Sequence, residues 1–199
     1  MSKDLFDAVK ERRTIYGISD KVSIADDKII EIVKHAVKYA PSAFNSQSAR
    51  VVVLLAGEHH KLWEIVKDAL RPLLTPDQFA GTEAKLDAFR AGHGTVMYFE
   101  DQNTVEGMQA QFPTYAENFP VWSLQSSGML QYIVWTSLEA EGLGASLQHY
   151  NPLIDSKVKE TWKLPESWKL LAEMPFGTPI APPGEKGFAP IEDRVKIFG

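Results

Sequence analysis

The stretch NFPVWSLQSSGMLQYIVWTSLEAEGLGASLQHY, residues 118–150, predicts a long central helix around which the fold is built. Asn118 is suited to the N-cap, Pro120 is tolerated in a first helical turn, and Gly142 suits the position just after a helix. The helix should therefore cover about 22 residues, a length of roughly 33 Å. Its apolar residues surround the axis instead of forming one stripe, so we expect it to be buried on every side.

Such a helix needs more than one neighbour to cover it. A bilayer is a poor environment for this one, because serine and glutamine recur from Ser123 to Gln131. We therefore expect its own domain to cover one flank and a second subunit to cover the other.

The composition is that of a globular domain. A chain of 199 residues fits one domain that buries about 70% of its unfolded surface. Its hydrophobic content of 44% and charged content of 24% are ordinary. The net charge of -5 disfavours nucleic acid or an anionic membrane as the main partner.

The chain contains no cysteine, which excludes disulfides, thiolate catalysis and cysteine-based metal sites. The N-terminal residues MSKDLFDAVKERR include no apolar signal region. Together these features favour a cytoplasmic protein.

Hydrophobic periodicity and turn residues predict a mixture of helices and short strands. Besides the central helix, we predict helices over 3–12, 23–40, 58–71, 77–91, 101–111 and 151–164, and strands over 50–56, 95–99, 145–148 and 168–176. These elements follow no strict βαβ rhythm, which favours the α+β class over a doubly wound sheet. We find no linker that would divide residues 1–199. The Pro/Gly-rich tail from 178 to 199 is too short to form its own core, so we expect it to lie across another surface.

Two segments have the chemistry of an anion or heterocycle site. Arg12, Arg13 and Thr14 follow the first helix, and guanidinium groups bind phosphate in a bidentate way. Cations are also favoured at helix C-termini by the helix dipole, so a purely structural role stays open. The loop 41–48 is rich in Asn, Gln and Ser, whose side chains match the edge of a heterocycle but are also common turn residues.

Other motifs carry less chemistry. The five histidines show no metal-ligand spacing, so we predict no metal, and His59-His60 is interpreted as the exposed start of a helix. Gly142-Leu143-Gly144 follows a helix and lacks a third glycine, which excludes a Rossmann site. Lys186 is a basic residue in the Pro/Gly-rich tail, where a solvated lysine is the ordinary interpretation.

Taken in order, four segments resemble the nitroreductase family of FMN-dependent oxidoreductases. They are RRT at 12–14, PSAFNSQS at 41–48, EGLGASLQ at 141–148, and a late basic residue before APIEDRV at 189–195. The chain is most similar to the branch of short proteins related to the yeast fatty-acid repression mutant protein and to small bacterial nitro- and quinone reductases.

The resemblance implies an FMN-binding α+β sandwich with a central mixed or antiparallel sheet flanked by helices. It also implies an intertwined homodimer with two FMN sites in the interface, in which the tail 178–199 embraces the partner subunit. The cofactor-binding residues that it implies are Arg12, Arg13, Thr14, Pro41, Ser42, Asn45, Gln47, Leu147, Gln148, His149 and Lys186. Segment 12–14 and Lys186 would hold the phosphate, ribityl chain or pyrimidine edge, the loop 41–47 would approach from the partner, and segment 147–149 would lie along the isoalloxazine ring.

The same resemblance implies a ping-pong reaction in which NADH or NADPH reduces FMN and an oxidant then enters the same pocket. Arg13 is the candidate to stabilise the anionic reduced flavin. An apolar wall for a small aromatic electron acceptor, a nitroaromatic or a quinone, would come from Phe112, Tyr115, Phe119 and Trp122. These four residues can equally form a plain hydrophobic cluster.

Two other functions fit the sequence. One is an FMN-binding regulatory or sequestering protein in lipid or stress responses, which would use the same flavin contacts with little turnover. The other is a structural dimer without a cofactor, which would be colourless.

Overall fold

The structure, a computed structural model, describes residues 3–199. The helices are α1 (Leu5–Glu11), α2 (Asp26–Tyr39), α3 (Ala56–Leu70), α4 (Pro76–Arg90), α5 (Gln102–Gln111), α6 (Phe119–Ala140) and α7 (Asp155–Trp162). The strands are β1 (Ile18–Ser19), β2 (Ala49–Leu55), β3 (Gly94–Asp101), β4 (Gly144–Ala145) and β5 (Trp168–Pro179).

The strands form one antiparallel sheet in the order β1-β5-β3-β2, with β4 also paired to β5. β2 is rich in valine and leucine, whose side chains pack well on a pleated surface. The sequence analysis missed β1, because two residues are too few to show a period. Its strand position depends on Gly177 of β5, where an added Cβ would collide with the main-chain oxygen of Ser19.

Each face of the sheet carries its own helices and its own core. On one face, α2 and α6 contribute Ile29, Val33, Leu130 and Val134 to a cluster with the sheet residue Tyr98. The other face is covered by α3, α4 and α7. Alternation of side chains along the central strands supplies both cores at once. The predicted α+β class, with an antiparallel sheet flanked by helices, is confirmed.

Helix α6 begins and ends close to the predicted residues. Asn118 occupies the predicted N-cap position, but its backbone is already helical and its side chain makes no capping hydrogen bond. Gly142 has a φ of 82°. The amide of Leu143 donates to the Leu138 carbonyl at 2.9 Å, and that of Gly142 donates to Glu139 at 2.9 Å. These two bonds are the Schellman ending that only a residue tolerant of positive φ permits easily.

Within the single chain, α6 is buried on one side only, which corrects the expectation of burial all round. Val121 and Leu124 are 53% and 54% exposed, and Met129 and Tyr132 are 42% and 41% exposed. The helix is apolar on that outer side as well, but no element among residues 3–199 covers it.

Three other boundaries differ from the predictions. Helix α7 begins at Asp155 instead of residue 151, since a turn occupies the residues between. Strand β4 ends at Ala145, and Gln148 makes only an isolated bridge to β5. Strand β5 continues past residue 176 to Pro179, because β1 and β4 both pair with its end.

The C-terminal tail, residues 180–199, is exposed throughout and forms one short 3₁₀ turn, Ile191–Asp193. Its apolar side chains have no cover, with Phe188 77% and Phe198 93% exposed. The tail therefore forms no core of its own. Its predicted contact with a partner subunit stays a prediction.

His59 is fully buried, which corrects its interpretation as an exposed residue. Its Nε2 lies 3.2 Å from the Arg90 carbonyl and its Nδ1 lies 2.8 Å from the Thr95 hydroxyl. A carbonyl only accepts, so the neutral ring carries its proton on Nε2, and the Thr95 hydroxyl donates to Nδ1. Trp63 donates to the same hydroxyl at 3.2 Å. Burial lowers the pKa of His59 to about 4.

This lowered pKa predicts an acid-sensitive step in stability. The unfolded chain takes up the His59 proton near its ordinary pKa of about 6.5 while the folded chain does not, so stability is full above that pH and falls towards pH 4. The expected loss from this residue is about 3 kcal/mol. His59→Gln should flatten the decline in denaturant melts between pH 6.5 and 4, whereas substitution of the exposed His35 by Gln should not. Equal slopes for wild type and His59→Gln would contradict the assignment.

Candidate functional site

The loop between α2 and β2 opens on a cleft of about 660 Å³. Pro41, Ser42 and Gln47 line it together with apolar side chains of α2, β2 and α6. The cleft forms here because β2 is the last strand of the sheet, so the residues of its outer flank have no neighbouring strand. A cavity of this size is large enough for a small organic ligand.

Arg50, which the sequence analysis did not single out, fixes one end of this loop. Its guanidinium donates to the carbonyls of Gln47 at 2.7 Å and Ala49 at 3.0 Å. It also forms an ion pair with Asp101 at 2.9 Å. One planar cation therefore joins the end of the loop to the end of β3.

The loop itself has an unusual backbone. Phe44, Asn45 and Gln47 have positive φ values of 55°, 53° and 50°. The Ser42 hydroxyl accepts from the Gln47 amide at 3.0 Å, and its carbonyl accepts from the Asn45 amide at 2.9 Å. These bonds hold a tight turn that leaves the side chains of Asn45 and Gln47 exposed to ligands or to another chain.

The four predicted aromatic residues come together, with Phe44 in their middle. The ring centroid of Phe44 lies 4.8 Å from Phe112, 5.7 Å from Tyr115, 5.5 Å from Phe119 and 6.0 Å from Trp122. Its plane is tilted by only 18° from that of Trp122. The sequence analysis missed Phe44 because a phenylalanine in a polar loop shows no period. The ring of Phe44 therefore occupies the centre of an aromatic cluster.

Arg12 packs against the central helix. Its guanidinium carbon lies 4.3 Å from the ring centroid of Trp135 and 5.6 Å from that of Tyr132. Its Nε is buried and has no hydrogen-bond partner among residues 3–199. Stacking on aromatic faces fits a guanidinium, and the free Nε–H is a donor that an added acceptor can satisfy.

Arg13 points to the C-terminal tail. Its Nη2 donates to the Gly184 carbonyl at 2.7 Å. It lines a second cavity, of about 640 Å³, together with residues 179–183. Lys186 follows two residues after Gly184 and is exposed, with its Nζ 5.2 Å from the ring centroid of Phe188. The bond from Arg13 to the tail therefore brings two cationic segments of the sequence to one surface.

Thr14 joins the segment 147–149 through the main chain. Thr14 bridges Ala145, and the amide of Ile15 donates to the Ala145 carbonyl at 3.0 Å. Further along, Leu147 is half-buried and His149 is exposed. Gln148 is buried, and its side-chain amide donates to the Ser146 hydroxyl at 3.1 Å. In this chain Gln148 thus supports the segment from inside.

The predicted site residues fall into two groups. Arg13 and residues 179–183 line one cavity, while Pro41, Ser42 and Gln47 line the other. No described residue lines both cavities. The candidate residues of this chain therefore line two separate cavities.

Glu173 is a further buried polar residue that the sequence analysis missed. It lies in β5, has no exposed surface, and accepts a hydrogen bond from the Tyr150 amide at 3.0 Å. Burial raises the pKa of its carboxyl group to about 8. The only sign of this buried carboxyl group in the sequence was one acidic residue within a mostly apolar strand.

Two classes of feature were not found in residues 3–199. No group of three or more His, Asp or Glu side chains is arranged to hold a metal ion. No helix combines the length and apolar content that crossing a membrane requires.

Comparison with known proteins gives a consistent result. Residues 9–178 match the model of the nitroreductase family. HBN1 of Saccharomyces cerevisiae is 39% identical over 189 residues, which are 94% of this chain and 93% of that protein. The nitroreductase CinD from Lactococcus lactis is 46% identical with a TM-score of 0.90, covering 98% of this chain and 100% of CinD. CinD has been solved in complex with nicotinic acid, chloramphenicol and 4-nitrophenol.

A more distant structure shares the fold alone. It is a Desulfovibrio desulfuricans protein in complex with FMN, with 18% identity, a TM-score of 0.72 and 100% coverage of both chains. The predicted family and fold are thus confirmed by sequence and by structure.

The anchoring of the loop by Arg50 is testable. Replacing Arg50 by Met removes the bonds to two carbonyls and Asp101, so we expect a stability loss of about 1–2 kcal/mol and faster amide exchange in residues 42–48. Lys61→Met, which removes an exposed pair with Glu58, should change stability by less than about 0.5 kcal/mol. Chemical denaturation and hydrogen exchange measure the two effects. Unchanged exchange in the loop would refute the anchoring role.

Proposed function

Since this chain belongs to the nitroreductase family, we propose that it is an FMN-dependent oxidoreductase that uses NADH or NADPH to reduce nitroaromatics or quinones. The observation that carries the proposal is the bonding that joins three distant segments. Thr14 is bridged to Ala145 through the bond from the Ile15 amide, and Arg13 is bonded to Gly184 near Lys186. The segments that the resemblance assigns to one face of the cofactor are therefore neighbours in this chain.

The residues present fit an anionic, planar cofactor. Arg12 has a buried Nε–H that lacks a partner, which an acceptor of the ligand can use. Arg13 and Lys186 supply positive charge for a phosphate or for the pyrimidine edge. Bound FMN would supply the hydride-carrying chemistry, and NAD(P)H and the oxidant would use the pocket in turn, as a ping-pong reaction requires.

Arg13 is our candidate for electrostatic stabilisation. A fixed guanidinium stabilises negative charge that develops on a reduced cofactor more strongly in a site shielded from water. Its bond to the tail fixes the direction of the guanidinium group before any ligand arrives. Leu147 and His149 would complete the surface around the reacting ring.

We propose that a homodimer completes the site. The candidate residues of one chain line two separate cavities. In the dimer, the cofactor bound by the partner would be faced by Pro41, Ser42, Asn45 and Gln47. The uncovered apolar side of α6 and the exposed tail supply surface for such an interface. The tail 180–199 would then embrace the second subunit.

We propose that the aromatic cluster around Phe44 forms a slot for a small, flat electron acceptor. Phe44, Phe112, Tyr115, Phe119 and Trp122 present ring faces and edges to one another at 4.8–6.1 Å. A planar nitroaromatic can replace one such contact. The ligands solved with CinD include 4-nitrophenol and the ring acid nicotinic acid, which fits an aromatic acceptor and a nicotinamide donor for this chain too.

The proposed function predicts a flavin spectrum that bleaches on reduction. The purified protein, or the protein loaded with FMN, should show flavin absorption that NADH or NADPH removes under anaerobic conditions. Addition of 4-nitrophenol or a benzoquinone should restore the absorption through many turnovers. Absorption without turnover would favour a regulatory or sequestering protein, and failure to bind FMN would refute the proposal.

The role of Arg13 gives a second prediction. Arg13→Met should weaken FMN binding at least about tenfold, because one charge-assisted contact contributes about 1.5–3 kcal/mol. Arg71→Met, at an exposed arginine that stacks on Phe79, is the matched control and should leave FMN affinity unchanged. Fluorescence titration of FMN compares the two. Equal affinities for both variants would remove Arg13 from the site.

A third prediction concerns the size of the aromatic slot. Phe44→Ala removes the central ring, so the ratio of kcat/KM for chloramphenicol to that for 4-nitrophenol should rise about fivefold. Tyr39→Ala, at an exposed aromatic residue of α2, should leave the ratio unchanged. If the Phe44→Ala ratio matches wild type, the slot does not select the acceptor.

A further inference from the structure

Glu173 forms the main-chain link between β5 and the segment that follows β4. The amide of Gln148 donates to the Glu173 carbonyl at 2.7 Å, and the amide of Glu173 donates to the Gln148 carbonyl at 2.9 Å. The side chain adds a third bond, since it accepts from the Tyr150 amide at 3.0 Å. One residue therefore makes three hydrogen bonds to residues 148–150.

The Glu173 side chain lies in an apolar environment. It has no exposed surface and stands opposite Met97 in the β3–β5 register, on the face covered by α3, α4 and α7. No lysine, arginine or histidine of the described chain forms an ion pair with it. A carboxylate in such surroundings is strongly disfavoured, and burial raises its pKa to about 8.

The hydrogen bond from the Tyr150 amide favours the ionised carboxylate, but the effect of burial outweighs it. Glu173 Oε1 is buried without a hydrogen-bond partner, and so is Asp155 Oδ1 at the start of α7. Ionisation would leave a charged oxygen without a hydrogen-bond partner in the interior and would add a second negative charge that Asp155 repels.

The surrounding charges do not compensate for ionisation. From α7, the negative charge of Asp155 opposes ionisation of Glu173, and Lys159 and Lys169 lower the pKa of Asp155. Tyr150 is itself half-buried, and its pKa is raised to about 12 by burial and by the charge of Glu173. The residue opposite Glu173 in the neighbouring strand β3 is Met97, which is apolar and offers no charge.

We propose that Glu173 is a positioning residue that, as a neutral carboxylic acid, holds segment 147–150 against β5 in the geometry that binds the cofactor. On ionisation the proton leaves to solvent, and the buried charge can be hydrated only when water enters between β5 and this segment. The segment then loosens, because β5 is fixed by β1, β3 and β4. This inference rests on the proposed function only in assigning the segment to FMN.

The test combines hydrogen exchange with FMN titration in wild type and Glu173→Gln between pH 7 and pH 9.5. An amide keeps the acceptor for Tyr150 and supplies a permanent donor in place of the acid proton. In wild type, the protection factor of residues 148–150 and the FMN affinity should each fall about tenfold above pH 8. In Glu173→Gln, the protection factor and the FMN affinity should stay at their pH 7 values up to pH 9.5.

Glu100→Gln is the matched control. Glu100 is 1% exposed in β3, its pKa is also raised by burial, and its main-chain neighbours are Ala49 and Lys169 instead of segment 147–150. Above pH 8, this variant should lose amide protection in residues 148–150 and FMN affinity as the wild type does.

The outcomes separate this inference from the function. A wild-type protection factor that stays constant to pH 9.5, or the same loss in Glu173→Gln, overturns the role of Glu173. A loss of protection without a loss of FMN affinity overturns the link to the cofactor. Absence of FMN binding at every pH refutes the proposed function, while the exchange data still decide whether Glu173 holds the segment.

Discussion

Main-chain hydrogen bonding to β5 is the constraint on which the rest of the structure depends. Buried amides and carbonyls need partners, so a long strand inside the sheet determines where shorter segments lie. β5 pairs with β1, β3 and β4, and it also bridges Gln148. Thr14 joins the same region through Ala145. Three segments far apart in sequence, 12–14, 145–149 and the start of the tail, are thereby brought to one end of the molecule.

The opposite edge of the sheet carries the other group of candidate residues. β2 is an edge strand with one flank free of sheet partners, and the loop 41–48 precedes it beside an open cleft. An uncovered sheet edge and the outer side of α6 are both surfaces that proteins usually cover. The proposed subunit interface would cover both surfaces and would bring the two groups of candidate residues together.

Sequence patterns predicted the parts whose signals are local. The length of α6 came from Pro120 and Gly142, which act through backbone geometry alone, and the other elements came from hydrophobic periodicity and turn residues. Contacts made by single residues could not be predicted. Phe44, Arg50 and Glu173 each have no period, and their meaning depends on which distant residue the fold brings near. His59 was misjudged for the same reason, since its partner Thr95 lies in another element.

The residues of the loop 41–48 that have positive φ also constrain how the loop can evolve. Positive φ costs an ordinary L-residue about 1–2 kcal/mol, and glycine would avoid this cost. Phe44 and Gln47 adopt it nevertheless, while Asn45 is tolerant of it by nature. Gln47 is exposed, so selection for thermostability alone would favour glycine there and would delete its amide, whereas Phe44 is held by four aromatic neighbours. If the Gln47 amide contacts the cofactor as proposed, directed evolution for heat resistance and directed evolution for activity should choose different amino acids at this position.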